Sequence, residues 1–105
     1  MLQITQETRS GWCVVTVKGR AGGDAADQLE TELRKAAEQH PKLAVDFSGV
    51  DYISSAGLRA VLQAARAAQE HSAEFAVCAL STPVKRVFDM SGLHHLLRIE
   101  GSLPC

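Results

Sequence analysis

Residues 52–59 read YISSAGLR, with Ser54 and Ser55 side by side between a hydrophobic run and a helix-like one. A hydroxyl at such a boundary has three uses. It caps a helix by accepting a hydrogen bond from a free backbone N–H. It attacks as a nucleophile when a base takes its proton. It accepts a phosphoryl group and so gains charge. The nucleophile reading needs a G-x-S-x-G elbow or a base within reach, and ISSAG with no histidine at a motif-like position nearby supplies neither. The glycines of GRAGG (19–23) lack the G-x-x-x-x-G-K-[ST] spacing of a phosphate-cradling loop. Capping and modification stay open for this pair.

Other reactive side chains are sparse. Cys13, Cys78 and Cys105 are odd in number, scattered, and form no CxxC pair. That pattern is neither a disulfide framework nor a zinc site. Cys13 and Cys78 lie in apolar runs and read as small buried hydrophobes. His94 and His95 are adjacent, so on a helix they would point about 100° apart, whereas zinc ligands on one face want a spacing of three or four. No metal and no cofactor is expected.

Bulk composition narrows the partners. The chain has 105 residues, 46% hydrophobic and 22% charged, with a net charge of −1. Those values describe one small globular domain, taken as residues 1–105. Near-neutral charge, with one Trp, one Tyr and three Phe, gives no footprint for nucleic acid or an anionic membrane. No stretch approaches the roughly 18 apolar residues that span a bilayer. The first ten residues, MLQITQETRS, show no signal-peptide pattern. A cytoplasmic location is expected.

The elements that must position the serines follow from periodicity. LQITQET (2–8) is a weak edge strand and WCVVTVKG (12–19) a β-branched one, joined as a hairpin around Ser10-Gly11. GRAGGDAAD (19–27) reads as a loop, with Asp24 the N-cap of a helix reaching about Gln39 and Asp27 in its first turn. Ala26, Leu29, Leu33 and Ala37 recur at helical spacing, and Pro41 stops that helix. Leu43, Ala44, Val45 and Phe47 form a strand buried on both faces, and SGVD (48–51) reads as loop. One of the two serines then caps a helix over Gly57–Gln69, whose Leu58, Val61, Leu62 and Ala65 make its inward stripe. EFAVCAL (74–80) is a further buried strand. Pro83 opens a short helix carrying Val84, Val87 and Phe88, Gly92 ends it, and LLRIE (96–100) is a last short strand. Leu58, Val61, Val45 and Val77 are the expected core. The order β-β-α-β-α-β-α-β predicts an α/β domain with a mixed, mostly parallel sheet of four to five strands, an N-terminal hairpin and helices packed around it. In such sheets, sites form at the carboxyl ends of strands, which is where Ser54 and Ser55 fall.

Two blocks carry a resemblance. VDFSGVDYISSAGLRAVLQA (45–64) and VCALSTPVKRVFDMSGLHHLLRI (77–99) together resemble a STAS domain of the bacterial anti-sigma factor antagonist type. The resemblance covers nearly the whole chain and implies the STAS fold. It implies a partner switch and not an enzyme. Family members bind an anti-sigma factor that is also a serine kinase of the histidine-kinase-like ATPase fold, and so release its client. Phosphorylation of a serine ends the binding, and a PP2C-type phosphatase resets it. Aligned on Gly57-Leu58, the acceptor falls on Ser55, with Ser54 as the alternative. The expected partner surface is Asp51, Tyr52, Ser54, Ser55, Ala56, Gly57 and Arg59, with Met90, Ser91 and Gly92 from the second block. The other reading of the resemblance is a non-catalytic STAS scaffold or sensor subunit of a larger signalling assembly.

Three departures from the family pattern stand out. Ser54 replaces a frequent Asp before the acceptor, and Ala56 a frequent Ser or Thr after it. Gly22 stands where an acidic residue often follows the second strand. Many members also carry a further C-terminal helix beyond the point where this sequence reaches Cys105, so the surface it would cover is expected to be bare or a partner face.

Overall fold

A computed structural model of the chain describes residues 2–101. Its elements are β1 (Gln3–Arg9), β2 (Trp12–Ala21), α1 (Ala25–Gln39), β3 (Lys42–Ile53), α2 (Ser55–Glu70), β4 (Glu74–Cys78), α3 (Thr82–Ser91), a 3-10 turn (Leu93–His95) and β5 (Arg98–Glu100). One five-stranded sheet has the order β1-β2-β3-β4-β5. β1 runs antiparallel to β2, and every other neighbour pair is parallel. The hairpin turn has φ of 53° at Ser10 and 83° at Gly11. Positive φ at both central residues gives a two-residue turn the twist of its strands.

Alternation along the strands builds the core. Cys13, Val15 and Val17 of β2, Leu43, Val45 and Phe47 of β3, and Val77 of β4 join one buried cluster with Leu29 and Leu33 of α1, Val61 and Ala64 of α2, and Val84 and Phe88 of α3. The opposite phase forms a smaller cluster of Trp12, Val14, Ala44, Ala76 and Cys78. No helix among the described residues supplies a member of it. Ionic side chains stand over this cluster instead. Lys42 and Arg98 lie 5.7 and 5.4 Å from the Trp12 ring centroid, and both reach Glu74. The expected burial of Cys13 and Cys78 holds. Burial next to Glu100 and Asp46 pushes the Cys78 thiol up to about 11, because each disfavours a thiolate. Cys105 lies outside the described residues.

Five local expectations need correction. SGVD is not a loop: β3 continues to Ile53, because Gly49, Val50, Tyr52 and Ile53 pair with Lys18, Gly19, Arg20 and Ala21. Two register shifts in that ladder absorb the irregular stretch, and Val50 and Ile53 are buried in it. By the same pairing, β2 keeps Arg20 and Ala21, which the sequence pattern assigns to the following loop. Asp24 holds the N-cap position but its side chain makes no capping bond. Its backbone is already helical, with φ −64° and ψ −23°, and the backbone bonds Ala25 N–H to Gly22 O and Ala26 N–H to Gly23 O close the entry turn. On α2 the buried face is Gly57, Ala60, Val61, Ala64, Ala67 and Ala68, while Leu58 and Leu62 are only half-buried. The helix approaches the sheet and α1 through small residues, so the larger leucines sit at the margin. Finally, the His94 and His95 rings do not diverge. They lie in the 3-10 turn with centroids 3.9 Å apart.

Candidate functional site

The two serines divide the work at the start of α2. Ser54 is the N-cap, with φ −91° and ψ 173°. Its hydroxyl oxygen accepts the Gly57 N–H at 3.1 Å, and its own N–H donates to the Ala21 carbonyl at 2.9 Å. These bonds tie the helix entry to the end of β2 and leave Ser54 half-buried. Ser55 is the first residue of the helix and is exposed. Its hydroxyl makes no hydrogen bond among the described residues.

Gly57 and Gly22 let these parts approach. A Cβ on Gly57 would overlap the Ala21 carbonyl oxygen and lie 2.8 Å from Ile53 Cγ1. A Cβ on Gly22 would stand 2.7 Å from Tyr52 Cε2 and 3.0 Å from Ser54 Cβ. The Tyr52 ring therefore packs where the first carbon of a side chain at position 22 would begin. Tyr52 stays 42% exposed, and the Arg20 guanidinium stacks on it 4.2 Å from the ring centroid. Parallel pairing of Arg20 with Tyr52 sets this contact. Sequence reasoning missed Arg20, since only the register of β2 on β3 reveals it.

Beside Ser55 runs an open groove between the first turns of α1 and α2. Ala26, Asp27 and Glu30 form one wall, and Ser55, Ala56 and Arg59 the other. The groove thus joins three expected surface residues to two carboxylates of α1, Asp27 and Glu30. Asp51 is exposed near the end of β3. Met90, Ser91 and Gly92 are placed elsewhere. The Ser81 hydroxyl donates to the Val50 carbonyl at 2.7 Å, so α3 begins beside the carboxyl-end half of β3. Its ten residues then run roughly 15 Å away, at 1.5 Å per residue. Gly92 is the left-handed C-cap at φ 79°, and the Ser91 hydroxyl donates to the Phe88 carbonyl. Met90 is 87% exposed. None of the three lines the Ser55 groove.

No helix among the described residues is long and apolar enough to cross a membrane.

Comparison with known proteins agrees with this architecture. The family model described as "Mlab, STAS domain" matches residues 4–98. A Bordetella bronchiseptica protein named "Putative anti-sigma factor antagonist BtrV" is 30% identical over 102 residues, spanning 96% of this chain and 88% of its own. Among solved structures, an anti-sigma factor antagonist from Mycobacterium paratuberculosis superposes with a TM-score of 0.88 at 23% identity, covering 98% of this chain and 88% of that one. The anti-sigma factor antagonist SpoIIAA in its unphosphorylated form gives 0.75 at 20% identity, over 92% of this chain and 87% of its own. The phosphorylated form of SpoIIAA, titled a Bacillus cell fate determinant, gives 0.69 at 19% identity, over 92% and 90%. With the family model matching residues 4–98, and so covering nearly every described element, this chain belongs to the STAS domain family.

Proposed function

We propose that this chain is an anti-sigma factor antagonist that works as a partner switch, with Ser55 as its phosphoacceptor. One observation carries the reading: Ser54 does the capping, which leaves the Ser55 hydroxyl exposed and without a hydrogen-bond partner among the described residues. The names of the curated relative and of SpoIIAA, solved in both phosphorylation states, support it. In the unphosphorylated state the chain binds an anti-sigma factor that is also a serine kinase of the histidine-kinase-like ATPase fold. The kinase transfers the γ-phosphoryl group of ATP to Ser55 Oγ. The Oγ–P bond forms, the bond to ADP breaks, and the hydroxyl proton leaves to a base on the kinase. A PP2C-type phosphatase hydrolyses the ester and returns the hydroxyl. The chain is the regulated partner in these steps and not a catalyst.

The switch is a local electrostatic event. A phosphate adds about −1.5 to −2 charge and three acceptor oxygens. The free N–H groups and dipole of the α2 N-terminus favour that charge, so the fold tolerates it. Inside an interface the same charge must be desolvated against the partner, a loss on the order of 2–5 kcal/mol. Calorimetry with the purified kinase tests this. Ser55→Ala should bind at least as tightly as wild type, Ser55→Asp more weakly, and phosphorylated wild type most weakly. Equal affinity for all four would remove Ser55 from the interface, and the STAS scaffold reading would take its place.

A further inference from the structure

Arg59 follows Ser55 by four residues on α2, and both line the same groove. Helical residues so spaced are neighbours on one face, with Cβ atoms about 5–6 Å apart. The opposite wall carries Asp27 and Glu30, and Glu30 is already engaged with Arg34 at 3.2 Å. Arg59 makes no ion pair within 4.0 Å among the described residues, with these carboxylates or any other. An exposed, uncommitted guanidinium therefore stands one helical turn from an exposed hydroxyl that has no hydrogen-bond partner.

We propose that Arg59 is the internal counter-ion of a phosphate on Ser55. The proposal rests on the reading of Ser55 as the phosphoacceptor and adds the residue that receives the modified state. A guanidinium offers a planar fork of donors that matches phosphate oxygens. Before modification Arg59 is free to meet a partner. Afterwards it is turned onto its own helix. One phosphoryl transfer thus makes two changes to the binding surface: it adds an anion and withdraws a cation. Asp27 and Glu30 repel the new dianion from the facing wall, which directs it along α2 toward Arg59 and away from α1.

The test installs phosphoserine at position 55 during translation, so no kinase is needed, and follows the phosphate by phosphorus NMR against pH. The charged groups facing it are Arg59 on α2 and Asp27 and Glu30 on α1, the last shared with Arg34. A neighbouring cation favours the dianion and lowers the second ionisation of the phosphate. With Arg59 present, its midpoint should lie about 0.2–0.4 pH unit below that of Arg59→Gln, as an i,i+4 ion pair implies. Arg59→Lys should retain most of the difference. Salt at about 1 M, with a screening length near 3 Å, should shrink it. Arg59 is exposed, so Arg59→Gln is expected to fold as wild type does, and a melting curve checks that. Coincident titration curves for wild type and Arg59→Gln would overturn the pairing alone. Failure of the purified kinase to phosphorylate Ser55 in the unmodified chain would instead overturn the acceptor reading, whatever the titrations show.

Discussion

At the scale of single residues, Ser54 and Ser55 differ by one position and by nearly everything physical. Ser54→Ala removes an N-cap that bonds Gly57 N–H, which typically costs about 0.5–2 kcal/mol. Ser55→Ala removes a hydroxyl that bonds nothing among the described residues, and should cost no more than about 0.5 kcal/mol. Kinase and ATP should give the reverse order. Intact mass should gain one phosphate on wild type and Ser54→Ala and none on Ser55→Ala. Phosphate retained on Ser55→Ala would move the acceptor to Ser54 and put a helix cap in conflict with modification. Gly57 offers a sharper stability test. Gly57→Ala places a methyl group against the Ala21 carbonyl, the same oxygen that accepts the Ser54 N–H. The helix entry must move or that bond must lengthen, and a loss of about 1–3 kcal/mol in a denaturant melt is expected. Local sequence pattern placed both serines at the mouth of a helix. Which of them caps was not legible, because that depends on the rotation with which α2 leaves β3.

Helices and strands show where pattern reading succeeds and where packing decides. Element order and type were legible because apolar periodicity switches cleanly between strands and helices along this chain. Strand ends were less so. SGVD carries turn-favouring residues, yet its pairing with β2 holds it extended, and a long-range ladder overrides local preference. Likewise the i, i+3, i+4 stripe of α2 identified a helix but aimed it about one residue off, since alanines allow a close approach that leucines do not. Leu33 on α1 is fully buried, so Leu33→Ala should cost about 2–5 kcal/mol through the cavity it leaves. Half-buried Leu58 should cost less, about 1–2 kcal/mol, and equal losses in parallel urea melts would put Leu58 back in the core. β4 gives a pH-dependent counterpart. Burial in the fold raises the Cys78 thiol from its ordinary value of 9.0 to about 11, so the neutral thiol contributes stability that is intact below about pH 9. That contribution is lost as pH rises from about 9 toward 11, because the unfolded chain releases the proton first. The urea midpoint should fall over this window, and Cys78→Ala should fall less steeply. A midpoint with the same pH slope in both proteins would show the thiol to be solvated.

For the whole molecule, the sheet has two unlike faces. One phase of its side chains meets three helices, while the other buries Trp12 under Lys42, Arg98 and Glu74. The groove between α1 and α2 was not legible in the sequence, because Asp27 and Ser55 are 28 positions apart and only the packed fold brings them together. The placement of Ser55 bears on the proposed switch. Ser55 lies at the exposed first residue of α2, whereas Leu43, Val45 and Val77 are 0% exposed in the middle of the sheet. Close-packed interiors move between discrete arrangements and resist small continuous shifts. A phosphate seated on free N–H groups at the helix start exerts no force that would select a second packing of that interior. Phosphorylation should therefore alter the surface and leave the core as it is. In amide NMR spectra of the two forms, chemical-shift changes should concentrate at residues 22–30 and 53–59. Leu43, Val45 and Val77 should keep their positions and their slow hydrogen exchange. Shifts or faster exchange at those three amides would mean that the sheet itself takes part in the switch, and the electrostatic account would give way to a conformational one.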